Sequence, residues 1–328
     1  MHVPVSIIVP VYNSETTIFK CIKTIVENNK NIKKEIIIIN DGSNDKTLEI
    51  IKKIKNVKII NFKKNKGVGN ARQYGAKIAK YDTLCYVDSD LFISKNSIKK
   101  LIKKLNSNIN VGSVGAIQKT INLNKKKWSS NFVCLKSCYG FEDVEKEVEF
   151  TVIHSEFCVI SKKYLISIGG WKFFSGAGGE EFELGHRILK SKKKIILIKD
   201  AYYVTYYADL FTRFKEIINR TEKYIDLLIK KKHFDSEGSF ATSNQAFSAL
   251  TTSLYIFIIF ISTLVKMNYF YFIISIVFLQ VFIEFNFLKY SFKIYGFKML
   301  LFSLFGIQII NLGLIIGSIK YILKKLFI

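Results

Sequence analysis

Residues 246–328 most narrow what this chain can fold into. They carry seven lysines, a single acid (Glu284), and three long apolar stretches, Phe247 to Val265, Tyr269 to Leu288 and Met299 to Ile319. Each is close to the ~20 residues an α-helix needs to cross a bilayer. Hydrocarbon leaves unpaired backbone groups without partners, so open sheets and loops are excluded there and helices are expected. A buried helical core is the alternative, and three such stretches in succession favour a membrane region. Lys266-Met267-Asn268 reads as a short hinge between the first two. Lys289, Lys293 and Lys298 favour a cytosolic loop between the second and third, but Lys320, Lys324 and Lys325 then fall on the wrong side. Two spans with an interfacial third segment remove that conflict. Gly313-x-x-x-Gly317, with Gln308 and Asn311 one turn apart, suggests instead a helix face that packs in the bilayer. Glu284 is expected at the membrane interface.

Of the formal net charge of +24, +6 falls on residues 246–328 and +18 on residues 1–245. A surplus of that size suits an anionic partner such as a phosphorylated substrate or a lipid surface. The lysines are scattered, and no compact arginine-rich patch interleaved with aromatics supports base readout, so nucleic acid is not an expected partner. Residues 209–232 form a basic amphipathic stretch with Leu210, Phe211, Phe214, Ile217, Ile218, Ile225 and Leu228 on one face. It can lie on the membrane interface or pack as an ordinary surface helix. Cys21, Cys85, Cys134, Cys138 and Cys158 show no zinc-ligand spacing and read as reduced thiols of a cytosol-facing protein. Met1-His2-Val3-Pro4 does not open a cleavable leader.

Upstream, β-rich apolar runs alternate with helical periodicity. Val5 to Val11 reads as a strand buried on both faces, hence parallel, and Ile36 to Ile39, Val57 to Ile60 and Thr83 to Val87 read as further strands. Helices are expected between them, after 83–87 at Ser97 to Leu105, and later strands at Val111 to Gln118, Phe157 to Ile160 and Ile195 to Ile198. Residues 119–150 have no clear periodicity. The alternation predicts a doubly wound α/β domain whose strand-to-helix loops share one edge, bringing Asp41, the 65–72 loop, Asp88 and Asp90 together.

Two short stretches carry the chemistry. Tyr86-Val87-Asp88-Ser89-Asp90 ends a strand in two carboxylates, hard oxygen donors suited to Mg²⁺ or Mn²⁺ shared with substrate phosphates. A plain turn is the alternative. Ser175 to Gly179 is a glycine-bearing run that ends in Glu180, Glu181 and Glu183 at a helix start. That is either an acidic first turn or a mobile element beside a site. Gly67 and Gly69 do not form a dinucleotide-binding fingerprint.

Six stretches in order resemble the family 2 glycosyltransferases of the GT-A type: Ser6 to Asn13, Ile39 to Ser43, Asn65 to Arg72, Val87 to Asp90, Gly169-Gly170-Trp171 and Gly179 to Leu184. The resemblance implies a GT-A domain over residues 1–208; outside that match, the sequence pattern gives a basic amphipathic juxtamembrane helix (209–245) and a membrane region with two to three transmembrane helices (246–328). It implies that Val9, Pro10 and Tyr12 line the nucleotide pocket, Asp41 meets the base, Arg72 approaches the diphosphate and Ser89 joins the donor site. Asp88 and Asp90 would hold Mg²⁺ or Mn²⁺. Glu181 stands where the family has its catalytic base, usually Asp, with Glu180 and Trp171 on the acceptor side. The family's Val-x-His pattern is replaced by Val204-Thr205-Tyr206-Tyr207, and the Gln-x-x-Arg-Trp motif of processive synthases is missing. The expected activity is inverting transfer from a nucleotide-sugar to a hydroxyl of a lipid-linked or surface glycan. A polyprenyl-phosphate acceptor is the alternative. The expected location is the cell membrane, multi-pass, with a cytoplasmic catalytic domain.

Overall fold

The computed structural model describes residues 3–124, 127–141, 144–173, 179–231, 243–265 and 270–327. Residues 175–178 of the glycine run, the hinge at 266–268 and the acids at 142–143 lie outside them. The chain divides into two compact units, one comprising residues 1–121 and 140–206, the other residues 122–139 and 207–328.

The first unit opens as the alternation predicts. Strands β1 (Val5–Val11), β2 (Lys34–Asn40), β3 (Lys58–Asn61) and β4 (Thr83–Val87) are separated by helices α1 (Ile18–Asn28), α2 (Thr47–Lys52) and α3 (Val68–Ile78). They pair in parallel in the order β3-β2-β1-β4. Beyond β4 come β5 (Phe92–Ile93), α4 (Ser97–Leu105), β6 (Val111–Asn122), α5 (Trp128–Cys138), β7 (Glu147–Phe150), β8 (Phe157–Ser161), α6 (Lys162–Ser167), α7 (Glu180–Lys190) and β9 (Lys194–Thr205). The sheet continues β4-β8-β6-β9-β5, with β7 also paired to β9. Here the structure departs from a uniformly parallel sheet. β8 runs antiparallel to both β4 and β6, and β9 antiparallel to β5 and β7. The continuous apolar runs indicate burial on both faces, which this half shares, but they do not encode strand direction. Ile7, Val9, Cys85, Val87 and Val159 enter one core layer, and Ile8, Leu84, Tyr86 and Cys158 the other.

The second unit is helical: α5, α8 (Leu210–Lys231), α9 (Ser243–Val265), α10 (Phe270–Ile283), α11 (Phe285–Tyr295) and α12 (Phe297–Leu326). α5 lies in the stretch that lacks periodicity. Its Phe132, Val133, Leu135 and Cys138 join Phe287, Met299 and Ile307 in a third core, so 122–139 packs with the helical unit although the sequence reading placed it in the α/β domain. Glu284 is buried and pairs with Lys136 of α5 at 2.8 Å. The amphipathic α8 lies along α12. A Cβ at Gly313 would press on Phe214 and Ile217, and one at Gly317 would collide with Thr221. Glu222 pairs with Lys320 and Lys324 at the same seam. The glycine face thus receives α8, while Gln308 and Asn311 turn to other neighbours. Gln308 accepts from Thr252 and donates to Gln280, and Asn311 donates to Ser248 and Thr252. This network ties α9, α10 and α12 together and pairs its polar groups with one another, as a helix bundle in lipid would require. α9 over Gln245–Val265 and α12 are long and apolar enough to cross a membrane. α10 and α11 make a third such element only if the pair, sharply bent around Glu284, counts as one span.

Candidate active site

β1, β2 and β4 all end at one edge of the first unit, and hydrogen bonds between their loops shape the site floor. Asn13 adopts a left-handed conformation, its side-chain oxygen accepts from the Asn44 amide and its own amide donates to Ser43 Oγ. Ser14 Oγ meets Ser89 Oγ at 2.7 Å, joining the loop after β1 to the Asp-Ser-Asp turn. Pro10 is buried in β1, whereas Tyr12 is 45% exposed and open to a ligand.

Asp41 lies at the end of β2, buried, and accepts from the Lys66 and Gly67 amides at 2.7 and 2.8 Å. Both oxygens therefore already hold the 65–72 loop against the β2 edge, and contact with a base would use their remaining lone pairs. Burial raises the Asp41 pKa, opposed by those two amide bonds. Gly67 has φ +89°, a left-handed value that favours glycine.

The loop delivers Arg72 from α3 into the interior, where it is 2% exposed. Its Nη2 donates to Asp88 Oδ1 at 2.9 Å and its Nη1 lies 3.6 Å from Glu180 Oε1. The guanidinium stacks over Trp171, whose ring meets Tyr86 edge-on. The Gly169-Gly170 turn fixes Trp171 there. Gln73 accepts from the Trp171 amide, and Arg187 donates to the Ile168 and Gly170 carbonyls while gripping Glu183. Trp171 and Glu180, expected on the acceptor side, are 5% and 2% exposed and packed against Arg72. Arg72 stays charged, because the charges of Asp88, Glu181 and Glu180 outweigh burial and raise its pKa.

Replacing Arg72 with methionine leaves Asp88 and Glu180 without their cation. Breaking a buried pair from one side costs about 3–5 kcal/mol, so the thermal midpoint is expected to fall by about 10 °C. Differential scanning calorimetry of the two proteins in detergent checks this, and an unchanged midpoint rules out Arg72 as the hub of the site.

The carboxylates above Arg72 are crowded. Burial pushes Asp88 up to about 7 even though Arg72 pulls it down, and the charges of Asp90 and Glu156 add to the rise. Asp90 points outward but is ringed by protein, and desolvation followed by the charge of Glu156 raises it as well. Thr205 Oγ lies 3.0 Å from the Asp90 carbonyl and 3.3 Å from its carboxylate, so a hydroxyl next to the position where the family pattern has histidine anchors Asp90. Glu181, at the start of α7 and partly exposed, accepts from the buried Ser155 Oγ at 3.2 Å. Among the described residues no three His, Cys, Asp or Glu side chains form a ready-made metal cage. An excess of carboxylates over one arginine nevertheless suits a divalent cation held by one or two of them and completed by substrate oxygens.

The structure thus gathers Arg72, Asp88, Glu180 and Glu181 around one centre, with Asp90 and Ser89 at its edge. Ser155, Glu156 and Tyr203 were not legible as site residues. Serine and glutamate inside a short loop before a strand carry no signal of their own, and only the pairing of β8 with β4 brings them here.

A glycosyl transferase family 2 model matches residues 6–169. A dolichyl-phosphate β-glucosyltransferase of Trichomonas vaginalis is 34% identical over 150 residues, covering 40% of this chain and 44% of that protein. The minor teichoic acid biosynthesis protein GgaB of Bacillus subtilis is 29% identical over 214 residues, or 60% of this chain and 22% of its own length. The chain therefore spans less than half of each of these two relatives. Among solved structures, a mannosyltransferase of Pyrobaculum calidifontis, in complex with GDP-Man and Mn²⁺, shares the fold with TM-score 0.60 over 99% of this chain and 88% of its own, at 13% identity. The chain belongs to glycosyl transferase family 2, its α/β unit being a transferase domain of the GT-A type.

Proposed function

We propose that the chain is a membrane-bound inverting glycosyltransferase that moves a sugar from a nucleotide-sugar to a hydroxyl of a lipid-linked or surface glycan, with its catalytic unit on the cytoplasmic side. The observation that carries this reading is the pairing of roles at the top of the site. Glu181 is partly exposed and oriented by Ser155, while Asp90 is oriented by Thr205 beside the Arg72–Asp88 pair. In this reading one carboxylate takes a proton and two face a diphosphate.

Pro10, Tyr12, Asp41 and Ser89 are assigned to the nucleotide, and Arg72 to the approach of the diphosphate through the Asp88 pair. A divalent cation, Mg²⁺ or Mn²⁺, at Asp90 and Asp88 would neutralise the charge that develops on the leaving nucleoside diphosphate. Glu181 draws the proton from the acceptor hydroxyl as the new C–O bond forms on the face opposite the breaking bond to the diphosphate. The apolar helices would hold the enzyme at the membrane that carries a lipid-linked acceptor.

A polyprenyl-phosphate acceptor is the second reading. It is favoured by the similarity to a dolichyl-phosphate β-glucosyltransferase. A phosphate oxygen is already deprotonated, so that reaction needs no base. The test is to offer the detergent-purified protein, with Mn²⁺, a panel of UDP-, GDP- and dTDP-sugars against a lipid-linked sugar and against polyprenyl phosphate. Label on the lipid-linked sugar alone supports the first reading. Label on polyprenyl phosphate overturns it in favour of the second.

A further inference from the structure

The loop before β8 places two polar residues in succession at the site. Ser155 donates to Glu181, the proposed base, and the next residue, Glu156, faces the metal side. Antiparallel pairing of β8 with β4 sets Val87 opposite Phe157, so Asp88 stands opposite Glu156 and its amide donates to the Glu156 carbonyl at 2.8 Å. A second strand fixes the side chain. Tyr203, fully buried in β9, donates its hydroxyl to the Glu156 carboxylate, and Thr205, two residues on, donates to Asp90. Residues two apart on a strand share a face about 7 Å apart. The Glu156 and Asp90 carboxylates are therefore held as neighbours by one strand, and the charge of Glu156 acts on both Asp88 and Asp90.

The donor sugar, attached to a diphosphate held at Asp90 and approached by an acceptor at Glu181, must lie between those two carboxylates. Glu156 follows Ser155, the partner of Glu181, and its charge acts on Asp90, which puts it beside both. Resting on the glycosyltransferase reading of this site, we propose that Glu156 is the residue that selects the donor sugar. It accepts hydrogen bonds from sugar hydroxyls and repels a sugar that carries its own carboxylate. The substrate class is then a nucleotide-linked neutral sugar, not a uronic acid. The physical basis is twofold. A carboxylate is a strong acceptor that two adjacent hydroxyls can share. Selectivity against a close analogue is most readily obtained by placing a like charge against it. Arg72 does not relieve that repulsion, since it is committed to Asp88 and Glu180. Tyr203 serves as a positioning residue, preventing Glu156 from turning away.

The test is a binding competition on the full chain in detergent with Mn²⁺. Bare UDP, GDP and dTDP identify the nucleotide. The sugar pair in that nucleotide is then compared: glucose against glucuronate for UDP or dTDP, mannose against mannuronate for GDP. The wild-type protein is expected to bind the neutral sugar at least about tenfold more tightly than the acid, and Glu156→Gln to shrink that ratio to within about twofold. Tyr203→Phe, which keeps the carboxylate but frees it, is expected to fall between the two and carries the test if Glu156→Gln does not fold. Equal or tighter binding of the acid sugar by the wild type overturns the proposal. So does an unchanged ratio in both variants, or a loss of affinity for the bare nucleotide as large as that for its sugar, which would assign Glu156 to the metal instead. If none of the nucleoside diphosphates binds, the donor-site reading itself falls and this inference with it. A nucleotide that binds without sugar discrimination overturns the inference alone.

Discussion

Replacing Asp90 with alanine is expected to weaken metal-dependent binding of the nucleotide-sugar by a factor of at least ~100, because the interaction of a divalent cation with charged oxygens is worth several kcal/mol. Asp90 is the right residue for this test. It points outward, accepts from Thr205 and has no close cation among the described residues, so alanine removes a ligand without leaving a buried charge unpaired. Asp88 would be a poorer choice, since its loss also frees Arg72 in the interior. Isothermal titration of Mn²⁺ and nucleoside diphosphate into both proteins gives the answer, with a melting curve to establish that the variant is folded. If the two proteins bind the nucleotide equally and Mn²⁺ enhances binding in both, the carboxylates at the end of β4 do not hold the metal.

The second large effect is expected at Glu181. Glutamine keeps the shape and can still accept from Ser155 Oγ, which lies 3.2 Å from the carboxylate, so donor affinity should remain within about twofold. Transfer to a hydroxyl acceptor should fall by about 10²–10⁴, the range expected when a positioned general base is removed. Single-turnover measurements separate the two quantities. Normal transfer to a sugar hydroxyl by the variant places the base elsewhere. Normal transfer to polyprenyl phosphate, with none to a sugar hydroxyl, supports the phosphate acceptor as the working substrate, because that reaction has no proton to remove.

The two glutamates also show how far a sequence reading reaches. Glu180-Glu181 at a helix start identified the pair, but which member faces the pocket depends on neighbours that the sequence does not order. Arg72 draws Glu180 into the interior and Ser155 engages Glu181. The bounds of β1 and β4 were legible to the residue because uninterrupted apolar runs end there in polar turns. β5 has two residues, and β7 (Glu147–Phe150) alternates charged and apolar side chains near the rim, so neither produces such a run. α5 was missed for a different reason. Its residues Ser130 to Leu135 are all buried, leaving none of the polar–apolar rhythm by which a helix announces itself. The placement of Glu156 opposite Asp88 depends on β8 running backwards beside β4, and no local pattern encodes that direction.

The excursion through α5 bears on how this protein can be handled. The polypeptide passes between the two units at three places, near residues 121, 139 and 206. A fragment ending at residue 208 would keep every strand of the sheet but also a helix whose Phe132, Val133 and Leu135 have lost the residues that cover them. Such a fragment would be sticky in proportion to that bared surface. A water-soluble catalytic piece therefore calls for a second edit, a short polar loop joining β6 directly to β7 in place of residues 123–139. Without it, the enzyme is best studied with its long apolar helices attached.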